Sequence, residues 1–422
     1  MAGSRRAVWI WTAAAVALGL ACAGARAAEA EAAPDSQPAA APVAARPLPV
    51  AIDAQVSGDG SSTRLSLTTS EPVEPSVKVL EKPDRLVLDL PEVNFQIPAE
   101  ASRRTKGLVK SFRYGLIGPG RSRVVIELAA PALPGQVANE SAANGAANSL
   151  VLDIKRADRE AFAKAAAADR APAAEPSVAS RRAPGDKRPV VVLDPGHGGI
   201  DTGAIGLNHV IEKDVVLAFT RELKGKLEKN GRYRVVITRD DDSFISLRDR
   251  VRVAQENGAS LFVSIHADTV RASPEVRGLT VYTNSDKASD AEAAQLAESE
   301  NKSDSVAGVE TEASAEEVAG ILGDLTRRET RTYSHLFART LVGKMTAAAK
   351  LNKNPQRSAG FWVLRVPDVP SVLIELGYLS SKSDVELLVA DAWRDKATDS
   401  IATAINAFLA PRLAQQGASS KP

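Results

Sequence analysis

Between Val50 and Ile154 apolar and polar positions alternate in short runs: Thr63-Arg64-Leu65-Ser66-Leu67-Thr68, Arg85-Leu86-Val87-Leu88-Asp89-Leu90, Arg123-Val124-Val125-Ile126-Glu127-Leu128 and Leu150-Val151-Leu152-Asp153-Ile154. Period two bounded by Pro and Gly turns predicts strands buried on one face, and several in a row predict an all-β, sandwich-like domain. We place it at residues 49–156. It contains no histidine and no convergent polar cluster, so binding rather than catalysis is its expected task.

From Pro189 the period changes. Pro189 to Asp194, Tyr233 to Thr238 and Leu261 to Ile265 read as strands, with further strands expected at Leu279 to Thr283, Phe361 to Leu364 and Ser371 to Ile374. Asp214 to Asn230 carries Val216, Phe219, Leu223 and Leu227 at helical spacing, and Ser246 to Asn257 is a helix capped by Ser246 and stopped by Gly258. Two more helices are expected, Arg331 to Ala349 and Asp384 to Leu409. Such alternation predicts an α/β domain with a largely parallel or mixed sheet flanked by helices, here residues 189–410, with 411–422 as a tail. The chain is therefore multidomain.

Composition marks what lies between and before these units. Residues 28–48 are mostly Ala, Pro, Glu and Gln, too little apolar surface to offset chain entropy, and read as a flexible leader. Residues 157–188, rich in Ala, Pro, Arg and Asp, read as a linker with a short helix near Phe162. Residues 1–27 read as a twin-arginine export signal: Ser4-Arg5-Arg6, an apolar core from Ala7 to Ala21, and Ala25-Arg26-Ala27 as cleavage site. The core falls short of the ~20 apolar residues of a bilayer span, so no stable membrane insertion is expected after cleavage. Cys22, the only cysteine, lies inside this signal, which leaves an exported, periplasmic chain without a disulfide framework. Lys plus Arg, 53, balance Asp plus Glu, 52, and nothing in the bulk charge favours nucleic acid.

The chemistry concentrates at strand ends. Of four histidines, His197 follows the first strand of the α/β domain in Asp194-Pro195-Gly196-His197-Gly198-Gly199, and His266 ends Ser264-Ile265-His266-Ala267-Asp268. Glu212 opens the first helix. Ligands of open α/β sheets sit outside the carboxyl ends of the strands, and two histidines with a glutamate form a recurring ligand set for catalytic zinc that leaves a position open. We expect His197, Glu212 and His266 to bind Zn2+. Glu375 ends the apolar run Ser371-Val372-Leu373-Ile374-Glu375, where a bare carboxylate is costly unless functional; it is the expected general base, with a raised pKa. Asp194 and Asp268 are expected to orient imidazoles. His209 lies in the same loop as Glu212, but a fourth protein ligand would close the site, and His335 reads as a surface or packing residue. Arg248 and Arg365 read either as binders of substrate carboxylates or as surface charges.

In order and spacing these three segments, with Glu212-Lys213-Asp214, resemble the zinc-dependent N-acetylmuramoyl-L-alanine amidases of bacterial cell-wall remodelling, over Pro189 to Leu409. The resemblance implies hydrolysis of the amide between N-acetylmuramic acid and the L-alanine of the stem peptide, with His197, Glu212 and His266 as zinc ligands and Glu375 as catalytic carboxylate. Ser380-Ser381-Lys382 departs from the family's usual asparagine after the serine, at the rim. The β domain resembles the AMIN-type targeting module of the division-associated members, which implies peptidoglycan binding at the septum. The acidic, Ala-rich insertion 285–328 is similar to a regulatory helix that supplies a glutamate to the zinc until an activator protein pulls it away; Glu300 is the expected blocking residue, then Glu298. Two other readings of the residues are a zinc peptidase or deacetylase of the wall, and a non-catalytic wall-binding scaffold.

Overall fold

The structure, a computed structural model, describes residues 48–98, 101, 104–141, 148–169, 186–270, 275–309 and 321–419. The expected export signal and nearly all of the expected leader lie outside the described residues.

Nine strands form the N-terminal domain: β1 (Val50–Gly58), β2 (Ser62–Thr69), β3 (Ser76–Leu80), β4 (Arg85–Pro91), β5 (Asn94–Phe95), β6 (Val109–Gly118), β7 (Arg121–Leu128), β8 (Ala132–Ser141) and β9 (Asn148–Arg156). They make two sheets, ordered β5-β1-β2-β9-β8 and β3-β4-β7-β6. Alternation decides what fills the space between them: Leu65, Leu67, Leu86, Leu88, Val124, Ile126, Leu150 and Leu152 share one core. The sandwich predicted from period two is therefore the fold observed. It continues into α1 (Arg159–Asp169), which places Phe162 and Ala166 in that core and Asp169 Oδ2 2.8 Å from Val79 N–H. The expected linker thus begins later than residue 157, because one buried aromatic is enough to dock a short helix on a sheet edge.

The C-terminal domain runs β10 (Val190–Pro195), α2 (Glu212–Lys229), β11 (Arg234–Ile237), α3 (Leu247–Glu256), β12 (Ala259–His266), β13 (Leu279–Asn284), α4 (Ala291–Glu300), α5 (Ser303–Val306), α6 (Ile321–Met345), β14 (Leu351–Ala359), β15 (Ser371–Glu375), α7 (Lys382–Leu388) and α8 (Asp391–Ser419). Its sheet order is β11-β10-β12-β15-β13-β14. β11, β10, β12 and β15 are parallel, and β13 joins β15 antiparallel. Val191 and Leu193 point to one face, packed with α2, α6 and α8, while Val190 and Val192 point to the other, with residues of α3 and α4. Near-continuous apolar runs are what a sheet covered on both faces requires.

Three expected elements differ. Phe361 to Leu364 is not a strand: Trp362–Leu364 forms a 3-10 turn with Val363 and Leu364 buried. The strand is β14 instead, whose sequence LNKNPQRSA escapes an apolar pattern because it is an edge strand, where a proline and polar residues are tolerated. The last expected helix is broken into α7 and α8, and the helix expected from Arg331 starts at Ile321.

Candidate metal centre

Strand register carries the site. His266 and Glu375 are paired neighbours at the ends of β12 and β15, and the segment after β10 brings His197 to the same edge. His197 has φ of +57°, costly for a side chain of its size, and is held there through its own carbonyl, which accepts from Arg250 Nη2 at 2.7 Å. Close approach demands glycine at 203: a Cβ there would lie 2.6 Å from both Glu212 Oε2 and His197 Cδ2.

Glu212 is fully buried at the start of α2. Ala204 N–H donates to its Oε2 and Ala267 N–H to its Oε1, each at 2.9 Å. Its Oε1 lies 3.2 Å from His197 Nε2 and 3.2 Å from His266 Nδ1. Glu300, from α4, completes the group: its Oε2 is 3.6 Å from His197 Nε2 and 3.4 Å from His266 Nδ1. A tetrahedral ion with bonds of about 2.0–2.1 Å needs its ligand atoms about 3.4 Å apart, and these separations match. Among the described residues His197 Nε2 is buried without a hydrogen bond, an orphan that a cation held beside His266 and Glu300 would satisfy. Imidazole and carboxylate are donors suited to zinc. The residues present therefore fit a zinc ion.

The electrostatics of the site favour positive charge at this point. Burial disfavours charge on both histidines and carboxylates, yet Asp201, Glu212 and Glu300 together hold the His197 pKa well above its ordinary value. Glu212 is held well below the usual range, its burial outweighed by the two histidines. Burial, then Glu212 and Asp268, push Glu375 well up. Glu375 is wholly buried; its Oε2 accepts from Asp268 N–H at 3.0 Å and its Oε1 has no hydrogen bond among the described residues.

Sequence reasoning misassigned the imidazole-orienting carboxylates. Asp194 accepts from Thr238, Ser264 and Arg250 and touches neither ring; it fastens β10 to its neighbours. Asp268 likewise bonds no imidazole, and burial with Glu212 and Glu300 pushes its carboxyl to about 7. The orienting place belongs to Asp201, which the sequence analysis missed: its Oδ2 lies 2.8 Å from His197 Nδ1, an arrangement that fixes tautomer and ring direction. The only signal was an aspartate four residues after the histidine in a glycine-rich loop. Also missed was Arg239, which donates to the Pro195 and Gly196 carbonyls beneath His197.

The remaining candidates lie elsewhere. Glu298 is exposed and paired with Lys302 at 2.7 Å. His209 is exposed on the turn Leu207–His209; His335 is exposed on α6, near Thr283. Arg248 and Arg365 are both exposed, and Arg365 lies over the Trp362 ring.

Residues 191–407 match the N-acetylmuramoyl-L-alanine amidase family, and residues 51–153 match the AMIN domain. The amidase AmiC of Escherichia coli O6:H1 is 33% identical over 366 residues, 83% of this chain and 87% of that protein. AmiC of Neisseria meningitidis serogroup B is 32% identical over 375 residues, 84% of this chain and 89% of its own. AmiA of Escherichia coli K12 is 40% identical over 225 residues, 53% of this chain and 77% of its own. Among solved structures, amidase AmiC2 of Nostoc punctiforme aligns over 52% of this chain and 97% of its own, at 28% identity and a TM-score of 0.39. With relatives aligned across both domains, the chain belongs to the N-acetylmuramoyl-L-alanine amidases of the bacterial cell wall, with an AMIN domain ahead of the amidase domain.

Proposed function

We propose that the chain is a zinc-dependent amidase held shut by Glu300, which cuts the bond between N-acetylmuramic acid and the L-alanine of the stem peptide once an activator displaces α4. His197, Glu212 and His266 are the permanent ligands. Bound zinc supplies Lewis acidity that polarises the scissile carbonyl and makes water nucleophilic near neutral pH. Glu375, one residue across the strand pair from His266, takes the proton as water adds to the carbonyl carbon. It returns that proton to the departing nitrogen as the C–N bond breaks, leaving a lactyl carboxylate and a free L-alanine amine. Asp201 keeps His197 turned inward.

The observation that carries the reading is the position of Glu300 Oε2, 3.6 and 3.4 Å from the two imidazole nitrogens, in the corner that substrate and water need. With α4 in place His197 and His266 are only 7% and 4% exposed, too little for a glycan-linked peptide to enter. By the same reading the protein is exported to the periplasm through its twin-arginine signal, the AMIN domain concentrates it on septal peptidoglycan, and it separates daughter cells. The test is Glu300→Ala on purified peptidoglycan. A chelator-sensitive gain in release of stem peptides bearing free L-alanine supports the reading, and a folded, zinc-loaded variant with no gain sinks it.

A further inference from the structure

We propose that the N-terminal β domain is a second lock on the site: it grips the residues that follow α4 and thereby holds Glu300 among the histidines. This rests on the reading that Glu300 blocks the centre. The catalytic domain holds the segment from one side. Asn301 donates to Gly360 O at 2.9 Å and accepts from Trp362 N–H at 2.8 Å, Ser303 Oγ donates to Asp201, and Asp304 Oδ1 accepts from Leu247 N–H at 2.9 Å.

The β domain holds it from the other. Arg85 Nη1 donates to Ser305 O at 2.6 Å, and Arg123 Nη1 donates to Ala307 O at 2.9 Å. Both guanidiniums are aimed beforehand by their own domain: Arg85 Nε donates to Pro83 O at 3.0 Å, and Arg123 Nε pairs with Asp89 at 2.6 Å. Strand alternation gives the grip an apolar floor. Leu86 and Leu88 of β4, and Val124 and Ile126 of β7, point into the sandwich, so Val87 and Val125 point outward. On a free sandwich those valines would face water. Here they are 1% and 5% exposed, in a cluster with Leu80, Ala307 and, from the loops beside the metal centre, Ile200 and Phe244. Gly308 passes over them with φ of +67°, and a Cβ there would meet Val87 Cγ2 at 2.9 Å and Val125 Cγ2 at 3.1 Å. A sheet face and two arginines are thus fitted to one segment, Ser305 to Gly308, that starts five residues after Glu300. The domain that binds the wall is thereby mechanically coupled to the block, and whatever draws this sheet face away loosens α4.

The experiment uses the whole mature chain without activator and reads two quantities: basal release from dye-labelled peptidoglycan, and hydrogen exchange of residues 291–309. Arg85→Ala with Arg123→Ala should raise basal release about 5-fold or more, the usual floor of a coupling between sites, and speed exchange across α4 and α5. Adding Glu300→Ala to that pair should give little beyond Glu300→Ala alone, since the lock acts through Glu300. If Glu300→Ala raises release while the arginine pair leaves both quantities at wild-type values, the lock is overturned and the block stands. If Glu300→Ala itself changes nothing, the block falls and the lock with it. Should the arginine pair unfold the β domain, Val87→Thr keeps strand and shape while wetting the floor; a smaller change in the same direction is expected, and none overturns the lock.

Discussion

The candidate metal centre draws on two kinds of segment, and they are built oppositely. His197, Glu212 and His266 are fastened by the scaffold: both Glu212 oxygens take backbone N–H groups, His197 is braced by Asp201 and by Arg250 under its carbonyl, and His266 ends a central strand. Glu300 arrives on a ten-residue helix whose other buried side chains are Ala293, Leu296 and Ala297. One large apolar residue contributes roughly 1.5–3 kcal/mol on burial, so α4 is anchored largely by its two ends: the buried Arg357 pairs with Glu292 at 2.8 Å in its first turn, and Asn301, Ser303, Asp304 and the arginines of the β domain hold the residues at and after its last. Moving an equilibrium from nearly all closed to nearly all open takes about 5.5 kcal/mol of differential binding, within reach of a modest protein interface. On the proposed reading, the permanent ligands are placed for geometry and the fourth for departure.

That contrast can be broken most sharply at the permanent side. Glu375→Gln should retain zinc and lower hydrolysis on the order of 10²–10⁴-fold, measured as peptide release beside metal content; loss of zinc instead would make Glu375 a ligand. Chelation should abolish release in every active variant and restore it on return of zinc. On the Glu300 side, Glu300→Ala should raise basal release on the order of 10²-fold if about one molecule in a hundred is open at rest. Between the two lies Asp201→Asn, expected to weaken zinc affinity about tenfold, measured by competition with a chromophoric chelator; an unchanged affinity would remove Asp201 from the site's support.

The smallest effect concerns the anchor of the segment that follows α4. Burial pushes the Asp304 carboxyl to about 6, against the Leu247 N–H and Arg250 that favour its charge, with Asp249 and Asp201 raising it further. The unfolded chain releases this proton near 3.8, so between about pH 4 and 6 the native state holds more protons. The contribution of this group to native stability therefore falls as pH rises through that window and is lowest above about 6. Asp304→Asn, which keeps an acceptor for Leu247, should flatten this dependence, narrowing the difference in Tm between pH 4 and pH 7 by about a few degrees.

Period-two and period-3.6 patterns were enough to read the fold class of both regions, and the strand-end rule puts His197, His266 and Glu375 on one sheet edge. What stayed illegible has a common cause. β14 carries no apolar pattern because it lies at an edge, and α1, expected as a short helix near Phe162, looked like part of a linker because within its Ala-rich tract few side chains, Phe162 and Ala166 among them, dock it on the β domain. Asp201 sits in a loop without periodicity. Arg85 and Arg123 meet their carbonyls across 220 and 184 residues of chain, and such pairings belong to tertiary structure alone. The outward valines at 87 and 125 were visible as letters, yet period two treats them as strand residues without saying what covers them.

The most direct test compares the mature wild-type protein with Glu300→Ala on purified peptidoglycan, with and without chelator, reading released fragments by mass spectrometry and zinc content in parallel. The account predicts equal zinc, slow release by the wild type, and fast, chelator-sensitive release by Glu300→Ala of stem peptides that begin with a free L-alanine amine. Equal release by two folded, equally zinc-loaded proteins would contradict it.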